Sequence, residues 1–145
     1  MKKDNKGFSL VELIIVIAIM AVLIGVLAPT FIKYVEQSRR ATDIQNAEEI
    51  KTAIEADLAD GALSGSGTLV EFTGTMATPN TGSGATTIST APKIRGNLLN
   101  HDGNFYVSFD ASTGKVSVYA SNAVTWELTN PDTATSYKTA TSATP

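Results

Sequence analysis

The chain has 145 residues, 43% of them apolar, with a formal charge of −3 and a mean hydropathy of +0.06, averages of an ordinary soluble domain that exclude a second large domain and a deep catalytic cleft. The absence of cysteine removes disulfides and thiolate chemistry, and a lone histidine, His101, removes any His-based metal site within one chain. Basic residues form no stripe beyond Lys2, Lys3 and Lys6, so nucleic acid is not expected as a primary ligand.

The averages conceal a sharp asymmetry. Residues 8–28 (FSLVELIIVIAIMAVLIGVLA) are apolar except for Ser9, Glu12 and Gly25. As a helix this run measures ~31 Å, the thickness of a bilayer core. The lysines before it hold its N-terminal side in the cytoplasm, which puts everything after residue 28 outside. An ordinary secretory signal fits poorly. The apolar run is too long, and Val26 is too large for the third-last position of a cut after Ala28.

The stretch Gly7-Phe8-Ser9-Leu10-Val11-Glu12-Leu13 resembles the N-terminal motif of type IV prepilins and the related pseudopilins. The resemblance is close over residues 6–13 and extends along the following helix to about residue 40. It implies that a membrane prepilin peptidase cuts between Gly7 and Phe8 on the cytoplasmic side and N-methylates Phe8. It also implies that Glu12 pairs with a Phe8 amine, its own or a neighbour's, during filament assembly. The residue types suit those roles. A glycine leaves the scissile backbone unhindered, and a carboxylate in a membrane helix costs several kcal/mol unless it is paired or neutralised. Removing residues 1–7 makes the side-chain charge two units more negative, so an acidic or neutral filament surface is expected.

Downstream of the span the helical period continues. Ile44, Ala47, Ile50, Ile54 and Leu58 form one apolar stripe. Pairs such as Glu36 with Arg40, Arg40 with Asp43, Glu48 with Lys51 and Lys51 with Glu55 read as a solvated face. Asp60-Gly61 supplies the stop, with Gly61 suited to a left-handed cap. A helix over 8–60 is expected to be ~80 Å long. Pro29, with Gly25 one turn earlier, is expected to kink or locally melt it. In pilins a matching proline lies in a segment that unwinds in the filament. Ala18, Ala21, Gly25 and Ala28 share one small-residue face suited to close helix packing.

Residues 61–92 are rich in Gly, Ser, Thr and Ala and read as a connecting loop around a short strand at 69–73. In pilins such a connection lies on the filament surface. Residues 105–109 and 115–119 alternate as a hairpin around Asp110–Gly114, and a third strand is expected at 124–128. The last 17 residues have little to bury and are expected to extend along the surface or stay disordered. The cysteine-free chain cannot make the disulfide that closes this end in many pilins. Asn100, Asp102 and Asn104 resemble the start of a calcium loop, but Phe105 and Ala111 stand where glycine and glutamate belong. No metal or other cofactor is expected. Calcium is the alternative, because major pseudopilins of similar architecture bind it in their β region. No nucleophile-elbow, P-loop or dinucleotide-binding pattern occurs, so the chain is not expected to be an enzyme.

The expected fold class is α+β: a long N-terminal helix, half membrane-spanning and half amphipathic, packed on a small antiparallel sheet of three to four strands. The expected organisation is a leader at 1–7, the helix at 8–60 with its transmembrane and assembly segment at 8–28, and a loop and β domain at 61–145. The expected function is a type IV pilus subunit that polymerises with itself into a surface filament for adhesion, motility or DNA uptake. Its partners would be prepilin peptidase and the assembly platform, in the cytoplasmic membrane before assembly and in an extracellular fimbrium afterwards. The alternatives are a major pseudopilin of a type II secretion or competence system and, further off, a monomeric membrane-anchored binding domain.

Overall fold

A computed structural model describes residues 7–73, 91–96 and 103–140. The elements in order are α1 (Leu10–Ala59), β1 (Ser66–Glu71), β2 (Tyr106–Asp110), β3 (Lys115–Tyr119) and α2 (Pro131–Thr139). The chain divides into two units, the first ending at Val35 and the second starting at Glu36.

In the first unit α1 carries its apolar side chains on all faces, and they are exposed from Phe8 to Tyr34. The helix continues through Pro29. The carbonyl that a residue at this position would normally bond belongs to Gly25, whose backbone can tilt away from the proline ring at little steric cost.

In the second unit the rest of α1 meets the sheet. Ala47, Ile50 and Ile54 are fully buried, and Ile44 and Leu58 pack at the margin, as the stripe predicts. The partners of these side chains include Val107 and Phe109 of β2 and Val116 and Val118 of β3. The helix ends as expected: Gly61 takes φ +72°, and the Leu63 N–H returns to the Asp57 carbonyl (3.1 Å).

The three strands are antiparallel in the order β1-β2-β3. The β2–β3 hairpin pairs Tyr106 with Tyr119 through Asp110 with Lys115. Its loop is closed by Asp110 Oδ1, which accepts from the Ser112 N–H (2.9 Å) and hydroxyl (2.7 Å), and by Gly114 at φ +66°. β1 starts three residues earlier than the sequence indicated and bulges between Gly67 and Val70, with Leu69 at φ +49° and its N–H on Ser108 Oγ (3.0 Å).

Two expectations for the C-terminal region are corrected. Residues 124–128 do not form a strand: Val124 is 68% exposed, and only Glu127 bridges to Tyr119. Ser121 Oγ bonds both the N–H and the carbonyl of Ala123, and this turn consumes the length a strand would need. The third strand is β1, on the other side of β2. Residues 131–139, expected to extend along the surface or stay disordered, form α2. Asn130 caps it by accepting from the Asp132 N–H (3.0 Å), Pro131 opens it, Asp132 and Lys138 complement its dipole, and Tyr137 is fully buried beneath it.

Candidate functional site

The N-terminal site is built on the start of α1. Gly7, Phe8 and Ser9 are non-helical and exposed, Phe8 at 89%, and a Cβ at Gly7 would meet nothing. Helix begins at Leu10 because Ser9 and Glu12 form a capping box. The Ser9 N–H donates to Glu12 Oε2 (2.9 Å), and Ser9 Oγ accepts from the Val11 N–H (3.4 Å). The bond between Gly7 and Phe8 is thus exposed, non-helical backbone just ahead of a capped helix, where a protease can reach it. Glu12 therefore has a local partner that its spacing to Gly7 did not reveal, although the Ser-x-x-Glu spacing signals one.

Beyond the cap, α1 contains a window long and apolar enough to cross a membrane, with none of that window buried in the protein. Ala18, Ala21, Gly25 and Ala28 are exposed along it, and a Cβ at Gly25 would meet nothing. Of the candidate calcium loop, residues 100–102 lie outside the described residues. Asn104 Oδ1 accepts from Lys93 Nζ, and Phe105 is buried in the core. Among the described residues no three His, Asp or Glu side chains gather as metal ligands.

A second polar cluster, in the globular unit, went unread in the sequence. Arg40 and Asp43, expected on a solvated face, are buried and do not pair with each other. Asp43 Oδ1 accepts from the Arg95 N–H (2.8 Å), and its Oδ2 accepts from the Gly96 N–H (2.7 Å) and the Tyr137 hydroxyl (2.8 Å). Arg40 Nε donates to Glu36 Oε1 (2.9 Å), while its Nη1 reaches the carbonyls of Tyr137 (3.2 Å) and Ala140. The Tyr137 ring stands edge-on to Trp126 at 5.7 Å. Burial, then the neighbouring Asp43 carboxylate, push the Tyr137 hydroxyl far above its ordinary range. The signal was available: continuing the stripe upstream from Ala47 by four and then three residues lands on Asp43 and Arg40.

Residues 2–28 match the family model described as the prokaryotic N-terminal methylation motif. The chain is 43% identical over 74 residues to prepilin peptidase-dependent protein A of Clostridium perfringens (strain 13 / Type A), covering 50% of this chain and 52% of that one. It is 38% identical over 65 residues to a type IV major fimbrial protein FimA of Dichelobacter nodosus, covering 45% of this chain and 40% of that one. A fimbrial protein of the same organism is 37% identical over 65 residues, with 45% and 41% covered. The chain thus spans about half or less of the curated relatives it matches. No solved structure matches. Over its N-terminal half the chain is thus similar to fimbrial and prepilin peptidase-dependent proteins, and at its start it carries the N-terminal methylation motif.

Proposed function

We propose that the chain is the structural subunit of a type IV pilus, polymerising through α1 and displaying its β domain. The observation that carries this reading is an apolar helix with no cover among the described residues from Phe8 to Tyr34, headed by an exposed, non-helical Gly7-Phe8 and a helix-capping glutamate. A surface of this size is stable only in lipid or against other copies of itself. The names of the fimbrial relatives support the pilus over the pseudopilin.

Prepilin peptidase cuts between Gly7 and Phe8 and methylates the Phe8 amine. The subunit waits in the cytoplasmic membrane with its N-terminus inside and its C-terminal domain outside. At the assembly platform, Glu12 takes the cationic Phe8 amine of a neighbour. One carboxylate oxygen can keep the Ser9 N–H while the other accepts the amine, so capping and pairing are compatible. In the filament, the face of Ala18, Ala21, Gly25 and Ala28 lets neighbouring helices approach, and Pro29, already lacking one backbone bond, is where the helix lengthens under load. The role is structural, without catalysis or cofactor.

Mass spectrometry of filaments sheared from cells tests the reading. The expected chain begins with N-methylated Phe8. A chain retaining Met1 or Lys2 and found only in membranes overturns it.

A further inference from the structure

The C-terminal helix is held to α1 through very few groups. α2 buries only Ala134 and Tyr137, and only Tyr137 reaches the main core. Its last carbonyls are capped by Arg40, and its one deep hydroxyl is taken by Asp43, which at the same time fixes the backbone of residues 95 and 96. Gly96 completes the fit. A Cβ there would come within 2.7 Å of the Tyr137 hydroxyl and 2.9 Å of Asp43 Oδ2.

We propose that Arg40, Asp43 and Tyr137 form a non-covalent clasp that closes the C-terminal helix over α1, and that α2 opens as one unit when the clasp is broken while the sheet stays folded. Two physical points favour this. First, a fully buried carboxylate is tolerable only with its donors in place, so losing one donor makes the remaining arrangement costly and the closure all-or-none. Second, α2 contributes one side chain, Tyr137, to the cluster in which Ile50, Ile54, Val107 and Val118 join α1 to the sheet, which gives the clasped helix a lower opening energy than the sheet. In a chain without cysteine, such a clasp closes the C-terminal end independently of the redox state of the surroundings.

Amide hydrogen exchange on the full chain in detergent micelles tests this, with Lys138 as a tryptic reporter inside α2. In Tyr137→Phe and in Arg40→Gln, amides of residues 134–140 are expected to exchange at least tenfold faster and cleavage after Lys138 to accelerate similarly, while β2 and β3 amides stay within twofold of wild type. The wild-type chain provides the same test without substitution: in low denaturant, α2 is expected to exchange through a smaller opening than the sheet. Wild-type protection of α2 in both variants overturns the clasp. A joint loss of protection in α2 and the sheet, or a common opening in the wild-type chain, overturns its independence.

Discussion

The Tyr137 hydroxyl donates to Asp43 Oδ2 at 2.8 Å, joining the last helix of the chain to the middle of the first across 94 positions of sequence. The acceptor is fully buried, so the bond is of the charge-assisted kind whose loss is felt strongly. Tyr137→Phe should cost about 1.5–3 kcal/mol, the range for a hydrogen bond to a charged group. Tyr137→Ala should cost about 3–5 kcal/mol, because a large buried ring is also lost. Urea denaturation of the full chain in detergent reads both, and wild-type stability of Tyr137→Phe would show that the hydroxyl contributes nothing.

The same hydroxyl sets an alkaline limit. Its folded value lies above the ordinary 10.0, through burial first and Asp43 second, with Glu36 adding to the shift and Arg40 opposing it. A raised value means that the stabilisation is complete below pH 10 and is lost as pH rises above it, since the unfolded tyrosine ionises there while the folded one does not. Stability is therefore expected to fall from about pH 10 upward. Tyr137→Phe should reduce that slope, and an unchanged slope would assign it to other groups.

Asp57 is buried, and its Oδ2 has no hydrogen-bond partner. Burial raises its carboxyl above 3.8, and the nearby Asp60 raises it further. The sign is the reverse of a paired aspartate: the favourable contribution is present below pH 3.8 and is lost as pH rises through the folded value. Asp57→Asn should thus raise the unfolding midpoint at pH 7, by on the order of 1 kcal/mol, the low end for an unsatisfied buried group. The advantage over wild type should shrink as pH is lowered toward 3.8. An advantage independent of pH would point to packing instead of charge.

Gly96→Ala tests how tightly the polar cluster is packed. The new methyl would press on the Tyr137 hydroxyl, Arg40 Cγ and Asp43 Oδ2, all between 2.7 and 2.9 Å from its position. Overpacking of this kind costs about 1–3 kcal/mol. Gly25→Ala, where the added Cβ meets nothing, is the control for folding of the monomer.

At the N-terminus, Gly7→Leu should accumulate uncut precursor on immunoblots of membranes, and normal processing would discard the proposed cut site. Glu12→Leu should be cut and inserted yet fail to enter filaments. Glu12→Gln separates the two uses of the carboxylate, because glutamine still completes a capping box but cannot pair with an amine as an anion. Filament yield as low as that of Glu12→Leu supports charge pairing, whereas wild-type yield reduces Glu12 to a helix cap.

Much of the architecture was legible because it rests on local pattern. The period of Ile44 to Leu58 marked the buried face of α1, the alternation around Asp110–Gly114 marked the hairpin, and Asp60-Gly61 marked the stop. What misled was composition taken without position. Thr135, Ser136 and Thr139 made the C-terminal stretch look featureless, but their hydroxyls bond back to the carbonyls four residues earlier in α2. Val124, Trp126 and Leu128 alternate as a strand would, yet the turn at Ser121–Ala123 leaves only a single bridge.

The sequence by itself determined the membrane-length helix, its Gly7-Phe8 junction with Glu12, and the face of α1 that carries the sheet, because each depends on residues within a few turns of one another. Only the tertiary structure decided that Arg40 and Asp43 turn inward. Their charges look like surface pairs until a distant tyrosine, two backbone N–H groups and the carbonyls of a second helix arrive to satisfy them. Whether a charge can be buried is settled by partners that sequence spacing does not bring together.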